Sequence, residues 1–314
     1  MTTAASPRRS ELESSLQVFE PHKASLPPVR PYLREFWRRR RFAYELSRTT
    51  QKAANFDSPI GSVWLVLNPL LLAFVYFLLI EVISGGSKKG ASGWASFLHI
   101  VIGLFTWTLV ASCMSVGATS VTAGGKLILN QSFPRALLPF SSVISSLMNY
   151  WPTIPVYLGM YGLGLIFLPH VPPGQGQYGL VGPTWALLWH PVLVALLVIT
   201  GFGLAMIFAT MTVYFRDTTK FLSYVLRIWL YLSPVLYTVS AMVDKYEKVW
   251  PPLGKIMIYG NPLGPVLGVM NDIWIEGVSP TPALFAGAVI WAAFLLLFGG
   301  WLFVSRERDF AVRL

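Results

Sequence analysis

The sequence predicts an all-α membrane protein with six transmembrane helices. An N-terminal amphipathic helix lies in the membrane interface, and two short re-entrant or gate helices fall between the fifth and sixth spans. Three observations carry this expectation. Of 314 residues, 54% are hydrophobic and only 12% charged, with a mean hydropathy of +0.57, whereas a soluble domain carries roughly a quarter charged residues. Several apolar runs exceed the roughly 18–20 residues needed to cross a bilayer as a helix. Lys and Arg outnumber Asp and Glu 24 to 14, and the excess gathers at the ends of those runs. That pattern reads as membrane topology and contact with anionic lipid rather than as the single basic stripe of a nucleic-acid binder.

Residues 1–30 read as a disordered cytoplasmic tail. Ser6, Pro7, Ser10, Ser14, Ser15, Pro21, Pro27 and Pro28 leave too little apolar area to offset ordering entropy, and no apolar core of a secretory signal precedes them. Residues 31–52 read as the amphipathic interface helix. Arg34, Arg38, Arg41, Glu45 and Arg48 recur on one face, and Leu33, Phe36, Trp37, Ala43 and Tyr44 fall largely on another. Arginines on such a face meet headgroups while the aromatics enter the acyl boundary.

The transmembrane domain occupies 58–314. Ser58, Pro59 and Gly61 break the preceding chain and open a first span over 63–83. Gly85, Gly86, Lys88, Lys89 and Gly90 form a short outer loop before a second span over 95–121. A polar turn from Gly124 to Arg135 follows. The third span, 136–168, contains Pro139, Pro152 and Pro155, which predict kinks or a broken helix. A Pro- and Gly-rich loop leads to a fourth span over 185–215 and, after Arg216, Asp217 and Lys220, a fifth over 221–243. Residues 244–282 are apolar but cut by Pro251, Pro252, Gly260, Pro262, Gly264 and Pro265. Irregular backbone at membrane depth needs cover from protein or a water-filled cavity, so this segment is expected to border a pathway as an external gate. The sixth span covers 283–304.

One side of these spans receives Arg34, Arg38, Arg39, Arg40, Arg41, Arg48, Lys52, Lys126, Arg135, Arg216, Lys220, Arg306, Arg308 and Arg313. The other receives Lys88, Lys89, Lys245, Lys248 and Lys255. The positive-inside rule places both termini in the cytoplasm, which requires an even number of spans.

Catalytic constellations are missing from the sequence. The lone Cys113 makes neither an internal disulfide nor a multi-Cys metal site. Glu81, His99, His170 and His190 keep no metal-ligand spacing and read as boundary residues, so no metal is expected. A membrane glycosyltransferase or acyltransferase would need a carboxylate or histidine group near one face. A secondary transporter would need mid-membrane ionisable groups and an internal repeat. Arg227, about two turns into the fifth span, is the one intramembrane charge, and such a charge faces a partner or water unless it snorkels to the headgroups.

Four stretches, SPIGSVWLVLNPLLLAFVYFLLI (58–80), GLFTWTLVASCMSVGATSVTAGGKLILNQSFPRALLPFSSVISSLMNY (103–150), YFRDTTKFLSYVLRIWLYLSPVLY (214–237) and GNPLGPVLGVMND (260–272), resemble in order and spacing the permease subunits of type-2 ABC exporters for lipid-linked polysaccharides. These export O-antigen, teichoic acid and related cell-wall polymers. The likeness covers most of the chain from about residue 40 and is greatest to the actinobacterial branch that exports mycobacterial cell-wall galactan. It implies a bacterial inner-membrane protein that works as a homodimer around one channel. Two copies of a separate ATPase subunit would bind the ATP and Mg, and this chain would carry no cofactor or enzyme site. The residues agree in one respect. A phosphate loop needs four residues between its first Gly and Gly-Lys, then Ser or Thr, whereas Gly117 to Leu127 places seven before Gly125-Lys126 and ends in Leu.

The resemblance makes the turn of Gly124–Arg135 a coupling element against the ATPase, with Leu127, Ile128 and Phe133 entering a groove while Lys126 and Arg135 pair with acidic groups; the alternative is a headgroup anchor. For a sugar polymer, flat ring faces can rest on aromatics. Trp64, Phe74 and Tyr76 in the first span and Tyr224, Trp229, Tyr231 and Tyr237 in the fifth are the candidates, with Arg227 attracting an anionic linker. For each aromatic the alternative is helix packing or an interfacial belt. Phe36, Trp37, Arg38 and Arg41 mark the interface helix, which the resemblance makes a receiver of lipid-linked substrate. Trp250, Tyr259, Asn261 and Pro262 mark the external gate, which could equally be a static lid.

Overall fold

The computed structural model describes residues 28–55, 61–83, 91–248, 250 and 252–313. Most of the expected tail, the 58–60 entry to the first span and the Gly85–Gly90 loop lie outside the described residues.

The interface segment forms two helices rather than the single one expected: α1, Val29–Arg38, and α2, Arg40–Asn55. Arg39 has left helical geometry (φ −94°, ψ 11°), and its guanidinium turns back to Glu35 and to the carbonyl of Ser132. Next come α3 (Gly61–Ile83), α4 (Ala91–Ala123), the single-turn α5 (Gly125–Asn130), α6 (Leu137–Tyr150) and α7 (Thr153–Phe167). A two-residue bridge pairs β1 (His170–Val171) with β2 (Leu180–Val181). Then follow α8 (His190–Tyr214), α9 (Thr218–Leu232), α10 (Val239–Glu247), α11 (Leu253–Tyr259), α12 (Gly264–Asn271) and α13 (Pro282–Arg306), with a last turn, α14, at Phe310–Arg313.

Among the described residues, four helical segments are long and apolar enough to cross a membrane: Val63–Ile83, Gly93–Ala123, Trp185–Tyr214 and Pro282–Arg313. The chain is thus an all-α, multi-pass membrane protein. The remaining two expected spans take other forms. The third, 136–168, divides into α6 and α7 at Trp151-Pro152, where both residues stay helical (φ −52°, ψ −43° and φ −64°, ψ −18°), so the chain kinks without reversing.

The fifth, expected over 221–243, is not one helix. α9 stops at Leu232, Ser233 is extended (φ −97°, ψ 150°), and helix resumes only at Val239. Pro234 has no N–H to continue the ladder. Ser233 Oγ instead donates to the Trp229 carbonyl (2.8 Å), and Asn261 Nδ2 donates to that of Leu232 (3.3 Å). At 1.5 Å per residue the 15 residues of α9 cover about 22 Å, short of the roughly 30 Å hydrocarbon core.

α4 is the central post, packed along α8, α6 and α3, while α8 packs in turn on α13. Its Leu98, Val101, Leu104, Phe105, Val110, Cys113 and Met114 are fully buried. α12 continues as a π turn over Asp272–Glu276 and ends at the left-handed Gly277 (φ 64°). Residues 263–271 and Ile273, Trp274 and Ile275 are almost wholly buried, so protein covers the irregular backbone here, as apolar surroundings require. His99 and His190 are not boundary residues as expected. Both are buried, His99 Nδ1 lying 2.9 Å from Asn271 Oδ1 and His190 Nδ1 accepting from Trp274 Nε1 (3.1 Å).

Candidate functional site

The coupling turn expected at Gly124–Arg135 is the single-turn α5 with the extended residues after it. A helix this short holds its place only by burying one face. Ile128 is 6% exposed, and Leu127 and Phe133 pack with it against Val121, Val213, Phe303 and Phe310. The Phe133 ring also lies 5.5 Å from that of Phe42 in α2. These apolar residues therefore serve the bundle's own core, while Lys126 and the 65%-exposed Leu129 point outward.

Arg135 is tied down by a residue absent from the sequence-based set, Glu307. The backbone N–H of Arg135 donates to Glu307 Oε1 (2.6 Å), and its guanidinium donates to the Glu307 carbonyl. Tyr32 Oη donates to Glu307 Oε2 (2.6 Å). Burial first, then the neighbouring Glu307 carboxylate, pushes the Tyr32 hydroxyl well above the ordinary tyrosine range, so it remains a donor. Glu307 thus joins α1, the end of the coupling turn and the end of α13.

The interface-helix residues divide by face. Phe36 packs on Phe140 and Phe202, with ring centres 5.2 and 6.2 Å away. Trp37 is 62% exposed, with the Arg40 guanidinium 4.8 Å from its ring centre. Arg38 pairs with Glu35 (2.9 Å), and Arg41 is exposed. α2 is also bonded to the bundle. Ser47 Oγ lies 2.9 Å from Ser145 Oγ, and Gln51 Nε2 donates to Ser145 O (3.0 Å) and Asn149 Oδ1 (2.6 Å).

Three of the eight channel candidates meet, where Tyr76 of α3 reaches Tyr231 of α9. The Tyr76 and Tyr231 hydroxyls are 3.0 Å apart with their rings edge to face, and Tyr237 Oη donates to the Tyr231 carbonyl (2.6 Å). Trp64, Phe74 and Tyr224 are about half exposed or more, and Arg227 is exposed. Trp229 departs from this group: it turns inward, edge-on to Trp107 at 5.4 Å, and donates to Asn261 Oδ1 (2.7 Å). Its place is structural rather than on an open surface.

Asn261 is the organising residue of the elbow between α11 and α12. Its Oδ1 accepts from Trp229 Nε1 and from the Leu263 N–H (3.0 Å), and its Nδ2 donates to Ser233 Oγ (2.9 Å) and the Leu232 carbonyl. One side chain therefore locks the break after α9 to the joint at Pro262. Tyr259 receives the Trp291 Nε1 donor on its carbonyl (2.7 Å), and Trp250 is 53% exposed. Among the described residues no cluster of three metal-ligating side chains occurs.

No protein-family model matches the chain. Three curated relatives carry the name O-antigen export system permease protein RfbA. One, from Myxococcus xanthus, is 28% identical over 285 residues, 89% of this chain and 97% of its own length. Two from Klebsiella pneumoniae are 28% and 29% identical over 226 and 222 residues, 71% and 70% of this chain and each time 75% of theirs. The likeness read from the four sequence stretches, to permease subunits of polysaccharide export systems, is therefore found over most of the chain's length.

Proposed function

We propose that this chain, similar along most of its length to O-antigen export permeases, is the membrane-spanning subunit of an ATP-driven exporter. It would carry a lipid-linked polysaccharide out across the bacterial inner membrane, with cell-wall galactan the first cargo to test. The near-full-length likeness to the Myxococcus permease carries the reading. Six spans follow if α6–α7 and α9 with its extension are counted with the four long helices. The 31 residues of 137–167 have a helical length of about 46 Å before the kink shortens their reach, and the positive-inside distribution then keeps both termini in the cytoplasm.

Two copies enclose the path. α3 and α9 present Trp64, Phe74, Tyr224 and Tyr231 outward, a surface on which sugar rings can slide between aromatic faces. Arg227 on the same surface attracts the anionic linker at entry. The ATPase, a separate subunit holding ATP and Mg, bears on the basic end at Lys126 and Leu129. Leu127, Ile128, Phe133 and Arg135 keep that turn rigid enough to transmit a push, and the Asn261 elbow carries the gate at the far end. The chain contributes no covalent chemistry.

Co-expression with an ATPase subunit, reconstitution of the purified complex in vesicles, and measurement of ATP-dependent movement of lipid-linked galactan tests this. The expected result is movement that requires ATP and both subunits. Polymer movement by this chain alone, or failure to assemble with any such ATPase, would overturn it.

A further inference from the structure

We propose that the basic end of the chain holds one anionic phospholipid from the surrounding leaflet, with its phosphate in a polar cleft and an acyl chain in the apolar groove that adjoins it. This depends only on the chain being embedded in a membrane. Two cavities, each of about 460 Å³, share Tyr32 and Val304 as a common wall. The first is walled by Arg39, Arg135, Arg308, Glu35 and Glu307. The second is walled by Leu33, Phe36, Phe202, Met206, Leu297 and Trp301. A charged cleft beside an apolar groove of similar size suits a molecule with an anionic head and a hydrocarbon tail.

The charge balance selects the sign of the head. Three guanidinium groups face two carboxylates. Both carboxylates are already occupied, Glu35 by Arg38 and Arg39, and Glu307 by Tyr32 and the Arg135 N–H. Of five N–H donors each, the Arg39 guanidinium gives two to Glu35 and the Ser132 carbonyl and that of Arg135 gives one to the Glu307 carbonyl, which leaves donors in the chamber for a phosphate. Basic pockets between helices at the cytoplasmic membrane edge take anionic headgroups for this reason.

The same balance argues against the chain's own N-terminal residues as the occupant. Positions 1–27 carry Arg8, Arg9 and Lys23 against Glu11, Glu13 and Glu20, so they offer the cleft no net negative charge. No residue of α3 or α9 lines either cavity, which separates this site from the path proposed for the cargo.

The test uses the full chain purified in mild detergent, with retained lipids identified by mass spectrometry and thermal stability titrated against phosphatidylglycerol and phosphatidylcholine of the same acyl chains. The expected result is retention of phosphatidylglycerol near one per chain and a stability gain that phosphatidylcholine does not give. Gly300 lies in the groove wall, and a Cβ there would meet only Met206 Cε at 3.8 Å. Gly300→Trp fills the groove and abolishes retention, whereas Gly300→Ala keeps it. The exposed Arg308→Gln weakens phosphatidylglycerol binding about fivefold, the effect of one charge near the membrane surface.

Equal retention of both lipids, or unchanged phosphatidylglycerol in Gly300→Trp, overturns the proposal. Increased lipid binding after removal of residues 1–27 would assign the groove to that segment. Recovery of a polyprenyl-linked glycan in place of phospholipid would assign it to the cargo.

Discussion

Glu307, Asn261 and Arg227 show how differently single residues declare themselves. Nothing in the sequence marks Glu307, because its partners Tyr32 and Arg135 lie 275 and 172 positions away and it sits among arginines that read as a helix-end anchor. Replacing it with Ala leaves the Tyr32 hydroxyl and the Arg135 N–H without acceptors. At roughly 1–3 kcal/mol for each stranded donor, Glu307→Ala is expected to lower stability by several kcal/mol, and Tyr32→Phe by about 1 kcal/mol. Thermal unfolding of the purified variants measures both, and wild-type stability in Glu307→Ala would show that the knot carries no weight. Asn261 was legible as a gate residue beside Pro262 but not as the acceptor for Trp229. Asn261→Leu strands that indole N–H and the Leu263 N–H, and proteolysis near 233–238 is expected to quicken as the elbow loosens. Arg227 was visible by its charge alone, and the structure leaves it exposed. If it receives an anionic linker, Arg227→Ala should reduce export while Arg227→Lys retains part of it, with ATP hydrolysis by the complex unchanged in both.

Hydropathy made the long helices α3, α4, α8 and α13 legible because each is one uninterrupted apolar run. Prolines decided the rest by position. Pro139 and Pro155 fall in the first turns of α6 and α7, where a missing N–H breaks no intrahelical bond, so only Pro152 bends the chain. The close fit of α8 on α13 was not legible, since it joins Gly203 to Gly299 across almost a hundred residues. A Cβ at Gly299 would stand 2.3 Å from the Gly203 carbonyl oxygen, and one at Gly203 would stand 2.4 Å from Leu295 O. Small residues let helices approach in lipid, where dispersion contacts replace the hydrophobic drive. Gly203→Ala must therefore push the pair apart, at a cost of about 1–3 kcal/mol. Unfolding midpoints of Gly203→Ala and Gly299→Ala would both fall, and the double variant would fall by less than the sum if they share one contact.

At the scale of the whole molecule, α3 stands apart from the bundle: 11% of its apolar window is buried against 78% for α4. A second copy is the proposed cover for part of that face. Cys113 is buried and is the sole cysteine of the chain, so a Cys113→Ser background allows single cysteines at Phe74 and Tyr224 to be oxidised in native membranes. Disulfide-linked dimers are expected from one or both positions, and monomers at every position tried along α3 and α9 would remove the two-copy channel. The same contrast bears on biosynthesis. α3 leaves the ribosome before the other long helices and leans on lipid, so it can enter the bilayer without a partner, even carrying Pro69. α4 follows with Ser, Thr and His side chains set among its apolar residues, and its main protein wall, α8, is translated about a hundred residues later. The polar side chains of α4 therefore gain their protein cover only when α8 has been made.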